Sequence, residues 1–106
     1  MKVIPANELE NHIGEEVGVS DWFEVTQERI NQFAEATNDH QFIHVDPEMA
    51  KATPWGTTIS HGFLTLSLLT YLQADIGYMP EGLQMAINYG ADTVSYTHLT
   101  LPTILR

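Results

Sequence analysis

The sequence predicts a single α+β domain in which one buried helix is wrapped by a curved sheet, and three stretches predict it. Phe63, Leu64, Leu66, Leu68, Leu69, Tyr71 and Leu72 are separated only by small hydroxyl residues. A helix with that pattern has no wide polar face, and a helix apolar nearly all round is a buried one. Leu83, Met85, Ile87 and Tyr89 alternate with Gln84, Ala86 and Asn88, the period of a strand with one buried face. Val17, Val19, Trp22, Phe23 and Val25 suggest a further strand from Glu16 to Val25, with an imperfect period of two. A lone apolar helix must bury its surface against something, and a curved sheet is the simplest wrapper.

The remaining elements follow in order. Asn7 to Gly14 is a short polar segment with room for one or two helical turns at an edge. Thr26 is a good N-cap, and Ile30, Phe33 and Ala34 at i, i+3 and i+4 predict an amphipathic helix over Gln27 to Ala36 that Asn38 can end. Asp46-Pro47-Glu48 starts a short helix, with Asp46 as cap and Pro47 at the first position, where its missing N–H is harmless. Lys51 to Gly56 is a loop whose Trp55 either lines a pocket or, more commonly for such aromatics, plugs one. The central helix is expected from Gly62 to about Gln73, and Gly77 to Gly82, containing Pro80, reads as a turn region.

At 106 residues the chain is long enough for one buried core and too short for two. Four Lys plus Arg stand against 14 Asp plus Glu, and the net charge of -10 repels phosphate backbones and anionic lipid. Neither nucleic acid nor membrane is an expected partner. A phosphate-bearing substrate could be met directly only by Lys2, Arg29, Lys51 or Arg106. A partner subunit, further sequence or backbone amides would have to help. The segment Met1 to Pro5 is followed by Glu8, Glu10, Glu15 and Glu16 and lacks the apolar core of a signal peptide, and no run approaches the roughly 20 apolar residues of a membrane span. With no cysteine there is no disulfide framework or thiolate metal site, and a cytoplasmic location is expected.

Groups able to move a proton near neutral pH crowd most densely in Asn38-Asp39-His40-Gln41-Phe42-Ile43-His44-Val45-Asp46. Asp39 and His44 would stand about 140° apart on a helix of roughly 3.6 residues per turn. On an irregular loop they can converge. Asn38 and Asp39 form turns, Phe42, Ile43 and Val45 prefer extended backbone, and Pro47 moves Asp46 out of the α region, so a loop is expected. Two readings fit the pair. An aspartate beside a histidine can orient a water, take its proton and return one, or Asp39 caps a turn while His44 is a hydrogen-bonded loop residue. A metal is a third possibility, with His40 and His44 at i, i+4 and Asp39, Asp46 and His61 completing the set, but it requires the helix that these residues disfavour. Further on, His61-Gly62 precedes the apolar helix, where free N–H groups can polarise a carbonyl. Gly62 lets a ligand approach its amide, or it simply makes a tight junction.

Three blocks carry a resemblance. Ala36 to Pro47 (ATNDHQFIHVDP), Gly56 to Leu69 (GTTISHGFLTLSLL) and Ala86 to Gly90 (AINYG), in that order and spacing, resemble the MaoC-like dehydratase family, the (R)-specific enoyl-CoA hydratases, over roughly Asn7 to Ala91. The resemblance implies a hotdog fold, an antiparallel sheet around one long central helix, assembled as a homodimer or higher. It implies syn addition of water to a trans-2-enoyl-CoA, giving an (R)-3-hydroxyacyl-CoA, and the reverse dehydration. Asp39 and His44 fall on the water-activating pair, and Gly62 on the amide that binds the thioester oxygen. Ser67 resembles a hydroxyl supporting the aspartate, and His61 orders the helix start. No metal or prosthetic group is implied, CoA arriving as part of the acyl-thioester substrate. The rival is a non-catalytic hotdog subunit that binds acyl thioesters, which would have no need of both Asp39 and His44.

The resemblance stops after Gly90. Val94 to Arg106 instead resembles translated sequencing-adapter read-through, so residues 1–91 are expected to be the N-terminal part of one hotdog domain, truncated after the strand ending near Tyr89. Residues 92–106 are expected to be a non-native tail.

Overall fold

The computed structural model describes residues 1–95. Its elements are β1 (Lys2–Ile4), a 3-10 helix (Ala6–His12), α1 (Gln27–Thr37), α2 (Phe42–Val45), α3 (Pro47–Ala50), α4 (Gly62–Ser67), α5 (Leu69–Leu72) and β2 (Tyr78–Pro80). They fall into two compact units, one of Met1–Asp21 with Thr70–Thr93, the other of Trp22–Leu69 with Val94 and Ser95. Apart from residues 92–95, the expected tail lies outside the described residues.

In the first unit β1 and β2 pair in parallel, Lys2 opposite Tyr78, Val3 opposite Met79 and Ile4 opposite Pro80. Glu81 N–H continues the ladder onto the Ile4 carbonyl at 2.8 Å. The 3-10 helix, expected as one or two turns, lays His12 against the Tyr78 ring at 4.0 Å. Three expectations change here. The described sheet is parallel and two-stranded, not antiparallel and wrapping. The expected turn at Gly77 to Gly82 contains a strand, because Pro80 stands at the end of the ladder, where its lack of an N–H removes nothing. Leu83, Met85, Ile87 and Tyr89 form no strand and are 43%, 70%, 77% and 101% exposed. Alternation yields a strand only when a neighbour completes the ladder, and among the described residues none pairs with this segment.

The second unit is built by caps. The Thr26 side chain accepts the Arg29 N–H at 3.2 Å and starts α1, whose Ile30 and Ala34 are buried. Asn38 ends it in the left-handed region at φ 59°, which asparagine tolerates. The Asp46 carboxylate accepts the N–H groups of Glu48 at 3.1 Å and Met49 at 3.0 Å, with Pro47 first in α3 as expected. Val25, Ile30, Ala34, Ala50, Ile59, Leu64 and Leu68 are this unit's buried apolar residues.

Three further expectations are corrected in this part of the chain. Phe42 to Val45 is one helical turn, not extended loop. The β-branched preference is outweighed because the turn is pinned from outside, by Ile59 N–H on the Ile43 carbonyl at 3.0 Å and Gln27 on the His44 carbonyl at 2.7 Å. Glu16 to Val25 holds no strand beyond an isolated bridge at Phe23, over whose ring the Arg29 guanidinium sits at 5.0 Å. Trp55 is 36% exposed and so is not a buried plug.

The long central helix is two short pieces that part at Leu68, whose N–H is shared between the carbonyls of Leu64 (3.1 Å) and Thr65 (3.3 Å). Ser67 back-bonds to the Phe63 carbonyl at 2.7 Å, a contact that bends helices. Leu64 and Leu68 are buried, whereas Phe63, Leu69 and Tyr71 are 70%, 54% and 65% exposed, so the segment is covered on one side only. No helix among the described residues is long and apolar enough to cross a membrane.

The Asp46 cap also closes the turn that carries His44. Asp46→Ala is expected to lower stability by about 1 kcal/mol and Asp46→Asn to restore most of it, read as the midpoint of urea unfolding.

Candidate active site

The site lies wholly within the second unit. Asp39 follows the left-handed Asn38, is exposed, and its carboxylate accepts the Gln41 N–H at 3.4 Å. His44 sits on α2 and is buried, as is His61, immediately before α4. A carboxylate oxygen of Asp39 and ring nitrogens of His44 and His61 lie within 4.8 Å of one another. The convergence expected of Asp39 and His44 is therefore achieved, but by a left-handed residue and a helical turn instead of a continuous loop.

Two hydrogen bonds define the imidazoles. His44 Nδ1 lies 2.7 Å from the Ile59 carbonyl, and His61 Nε2 lies 3.0 Å from the backbone carbonyl of Asp39. A carbonyl only accepts, so each of these nitrogens carries the proton. In the neutral ring the other nitrogen is then a free base, Nε2 on His44 and Nδ1 on His61. The rings stack at 3.9 Å with 23° between their planes, and Phe33 flanks His61 at 4.8 Å. His61 Nδ1 is buried with no hydrogen-bond partner among the described residues.

The pKa of His44 is lowered below the ordinary 6.5, chiefly because burial penalises the imidazolium, with the nearby His61 adding to the effect. The Ile59 hydrogen bond and the Asp39 charge oppose it without reversing it. His44 is thus held as a neutral base with Nε2 as acceptor.

The expected residues do not all meet. Gly62 is half-buried at the first position of α4, where its N–H has no intrahelical acceptor. Since α4 is only six residues long, the amide itself matters more than a helix dipole. At the start of α4 the His61 carbonyl accepts Thr65 N–H at 3.1 Å, and its ring bonds the Asp39 backbone. Ser67 is not brought to Asp39, its hydroxyl being spent on Phe63. Sequence reading missed Gln27, Thr58 and the Ile59 carbonyl, which hold His44 from behind. A glutamine in a first helical turn and a threonine in a loop carry no signal of such a task.

The metal set built on His40 does not assemble, because His40 pairs with Glu35 at 2.9 Å and Asp46 caps α3. Asp39, His44 and His61 come close enough to consider as ligands. A histidine nitrogen binds along its lone pair, in the ring plane, about 2.0–2.1 Å from the metal. Two rings stacked nearly parallel at 3.9 Å aim their lone pairs side by side and not at one point. The arrangement suits proton transfer better than coordination.

Comparison with known proteins places the chain in a family. The profile of the MaoC like domain matches residues 8–103. The chain is 58% identical over 83 residues to 3-hydroxyacyl-thioester dehydratase Z of Mycobacterium tuberculosis, covering 78% of this chain and 54% of that protein. It is 46% identical over 99 residues to Nodulation protein N of Rhizobium meliloti, covering 91% of this chain and 60% of the relative. Over 57 residues it is 37% identical to 3-hydroxybutyryl-CoA dehydratase of Methylorubrum extorquens, covering 52% and 36% respectively. The chain spans about half the length of the first of these relatives. Matched along most of its length, including the stretch that brings Asp39, His44 and His61 together, the chain belongs to the MaoC-like domain family.

Proposed function

We propose that the protein is an (R)-specific enoyl-CoA hydratase, equally a 3-hydroxyacyl-CoA dehydratase, acting on trans-2-enoyl-CoA thioesters on a hotdog scaffold as a homodimer or larger assembly. The single observation that carries the reading is the approach of an exposed carboxylate, Asp39, to a ring nitrogen of a buried imidazole, His44, whose pKa is lowered by burial. That the mycobacterial and Methylorubrum relatives bear dehydratase names supports the same chemistry.

In this reading a water sits between the Asp39 carboxylate and His44 Nε2. Asp39 orients it, and His44 Nε2 accepts one of its protons as its oxygen bonds to C3 of the enoyl thioester. The double bond's electrons move toward the thioester oxygen, which the Gly62 N–H stabilises. A proton returned by the same pair to C2, on the same face, completes syn addition. Dehydration is the reverse. The net charge of -10 leaves the CoA phosphates to be met by backbone amides, the few cations or a second subunit.

The test is hydration of crotonyl-CoA, followed as loss of enoyl absorbance, by this chain and by the chain joined to the remaining C-terminal residues of the mycobacterial relative. Absence of turnover in both would overturn the reading in favour of a binding subunit. Asp39→Asn and His44→Gln are each expected to lower kcat by about 10²-fold or more with little loss of stability, and near-normal turnover would remove that residue from the mechanism. Gly62→Pro deletes the N–H at a first helical position, where the helix itself loses little. Activity should fall while the melting transition persists, and an active variant would exclude the amide from the reaction.

Because the folded-state pKa of His44 lies below 6.5, the unfolded chain takes up this proton at a higher pH than the folded one. His44 therefore contributes its full stability above pH 6.5, and that contribution is lost as pH falls through the lower folded-state value. Urea midpoints between pH 8 and 5 should fall less steeply in His44→Gln than in the parent. The acid limb of kcat/KM should lie below 6.5.

A further inference from the structure

Gln27, the first residue of α1, has no side-chain role in capping that helix, which Thr26 supplies. Its amide is nevertheless fully engaged. Nε2 donates to the His44 carbonyl at 2.7 Å and to Asn31 Oδ1 at 2.9 Å, and Oε1 accepts the Thr58 hydroxyl at 2.6 Å. The amide's orientation is forced, since the His44 carbonyl can only accept. Thr58 is buried and directly precedes Ile59, whose carbonyl accepts His44 Nδ1–H. The hydrogen bonds form a closed circuit, from Gln27 to the His44 backbone, through the imidazole to Ile59, back one residue to Thr58 and across to Gln27. One amide thus fixes both the backbone that carries the ring and the segment that holds its Nδ1 proton.

We propose that Gln27 is the positioning residue of the hydratase site, an amide clamp, completed by Thr58, that sets the orientation and tautomer of His44 and so leaves Nε2 as the base. The role in turnover rests on the hydratase reading, whereas the clamp itself does not. Gln27 touches no reacting atom in this scheme and acts only through His44. Without the clamp the segment 58–59 can shift relative to α2 and the Nδ1 acceptor is no longer held in place. A misplacement of about 1 Å at a reacting group can cost on the order of 10²-fold in rate. The tautomer is governed by the hydrogen bond at the opposite nitrogen, so it reports the clamp directly. Asp39 and His61 are the titratable groups facing this ring, and neither is altered by changing Gln27.

The experiment compares the parent protein with Gln27→Met, which keeps the length of the side chain and removes its polar atoms, and with Thr58→Val, which removes only the hydroxyl. Two readouts are taken, the His44 tautomer from ring nitrogen NMR shifts above neutral pH, and kcat and KM for crotonyl-CoA hydration. The parent should show a single Nδ1-protonated tautomer. Gln27→Met should show a mixture, with kcat down about tenfold or more and KM within about twofold, and Thr58→Val the same change in smaller measure. A folded Gln27→Met protein with the parent's tautomer overturns the proposal, whatever its activity, and so does one with a mixed tautomer and unchanged kcat. If Gln27→Met does not fold, Thr58→Val decides by the same criteria. Absence of crotonyl-CoA turnover in both the parent and its C-terminally extended form removes the hydratase reading and the role in turnover together, while the tautomer comparison still tests the clamp.

Discussion

The hydrogen bond from His44 Nδ1–H to the Ile59 carbonyl, at 2.7 Å, is the contact on which the candidate site depends. It joins two stretches separated by 15 positions and decides which nitrogen of the imidazole is a base. It is supported on both flanks. Ile59 N–H returns a bond to the Ile43 carbonyl, and the buried Thr58 reaches Gln27. A charged-assisted partner for Nδ1, such as a carboxylate, would favour the imidazolium. A neutral carbonyl in a buried setting raises the pKa too little to offset desolvation, and the ring stays neutral.

His61 turns the same constraint outward to Asp39. Its Nε2 bonds the aspartate's backbone carbonyl, not its carboxylate, which keeps the carboxylate available. Its ring face supports His44, and Phe33 packs against it from another side. Its Nδ1, buried without a hydrogen-bond partner among the described residues, is the cost of this arrangement, since a polar atom so placed is unfavourable by roughly 1–3 kcal/mol. Such a cost is compatible with a residue whose placement serves the site more than the fold.

The sequence reading succeeded where structure is decided locally. Thr26 and Asp46 cap helices because a hydroxyl or carboxylate satisfies N–H groups two or three residues away, and Asn38 ends α1 because it tolerates φ 59°. It went astray where structure is decided by partners. The alternating residues Leu83 to Tyr89 found no neighbouring strand, and the Phe42 to Val45 turn became helical because Gln27 and Ile59 pin it. The apolar run from Phe63 to Leu72 predicts a continuous buried helix. Burial needs a cover, and Phe63, Leu69 and Tyr71 remain 70%, 54% and 65% exposed.

What the sequence determined by itself is the inventory and its order. It places a carboxylate and an imidazole five positions apart, a His-Gly pair before an apolar helix, and caps that bound the helices around them, and this pattern already resembles the MaoC-like family. Only the tertiary structure decided how those groups are used. It stacked His61 on His44, gave His44 its Nδ1 acceptor, turned His40 away to Glu35 and left Ser67 on its own helix. Tautomer, burial and pKa are properties of the surroundings of a side chain, and those surroundings come from residues distant in the chain, which spacing along the sequence does not encode.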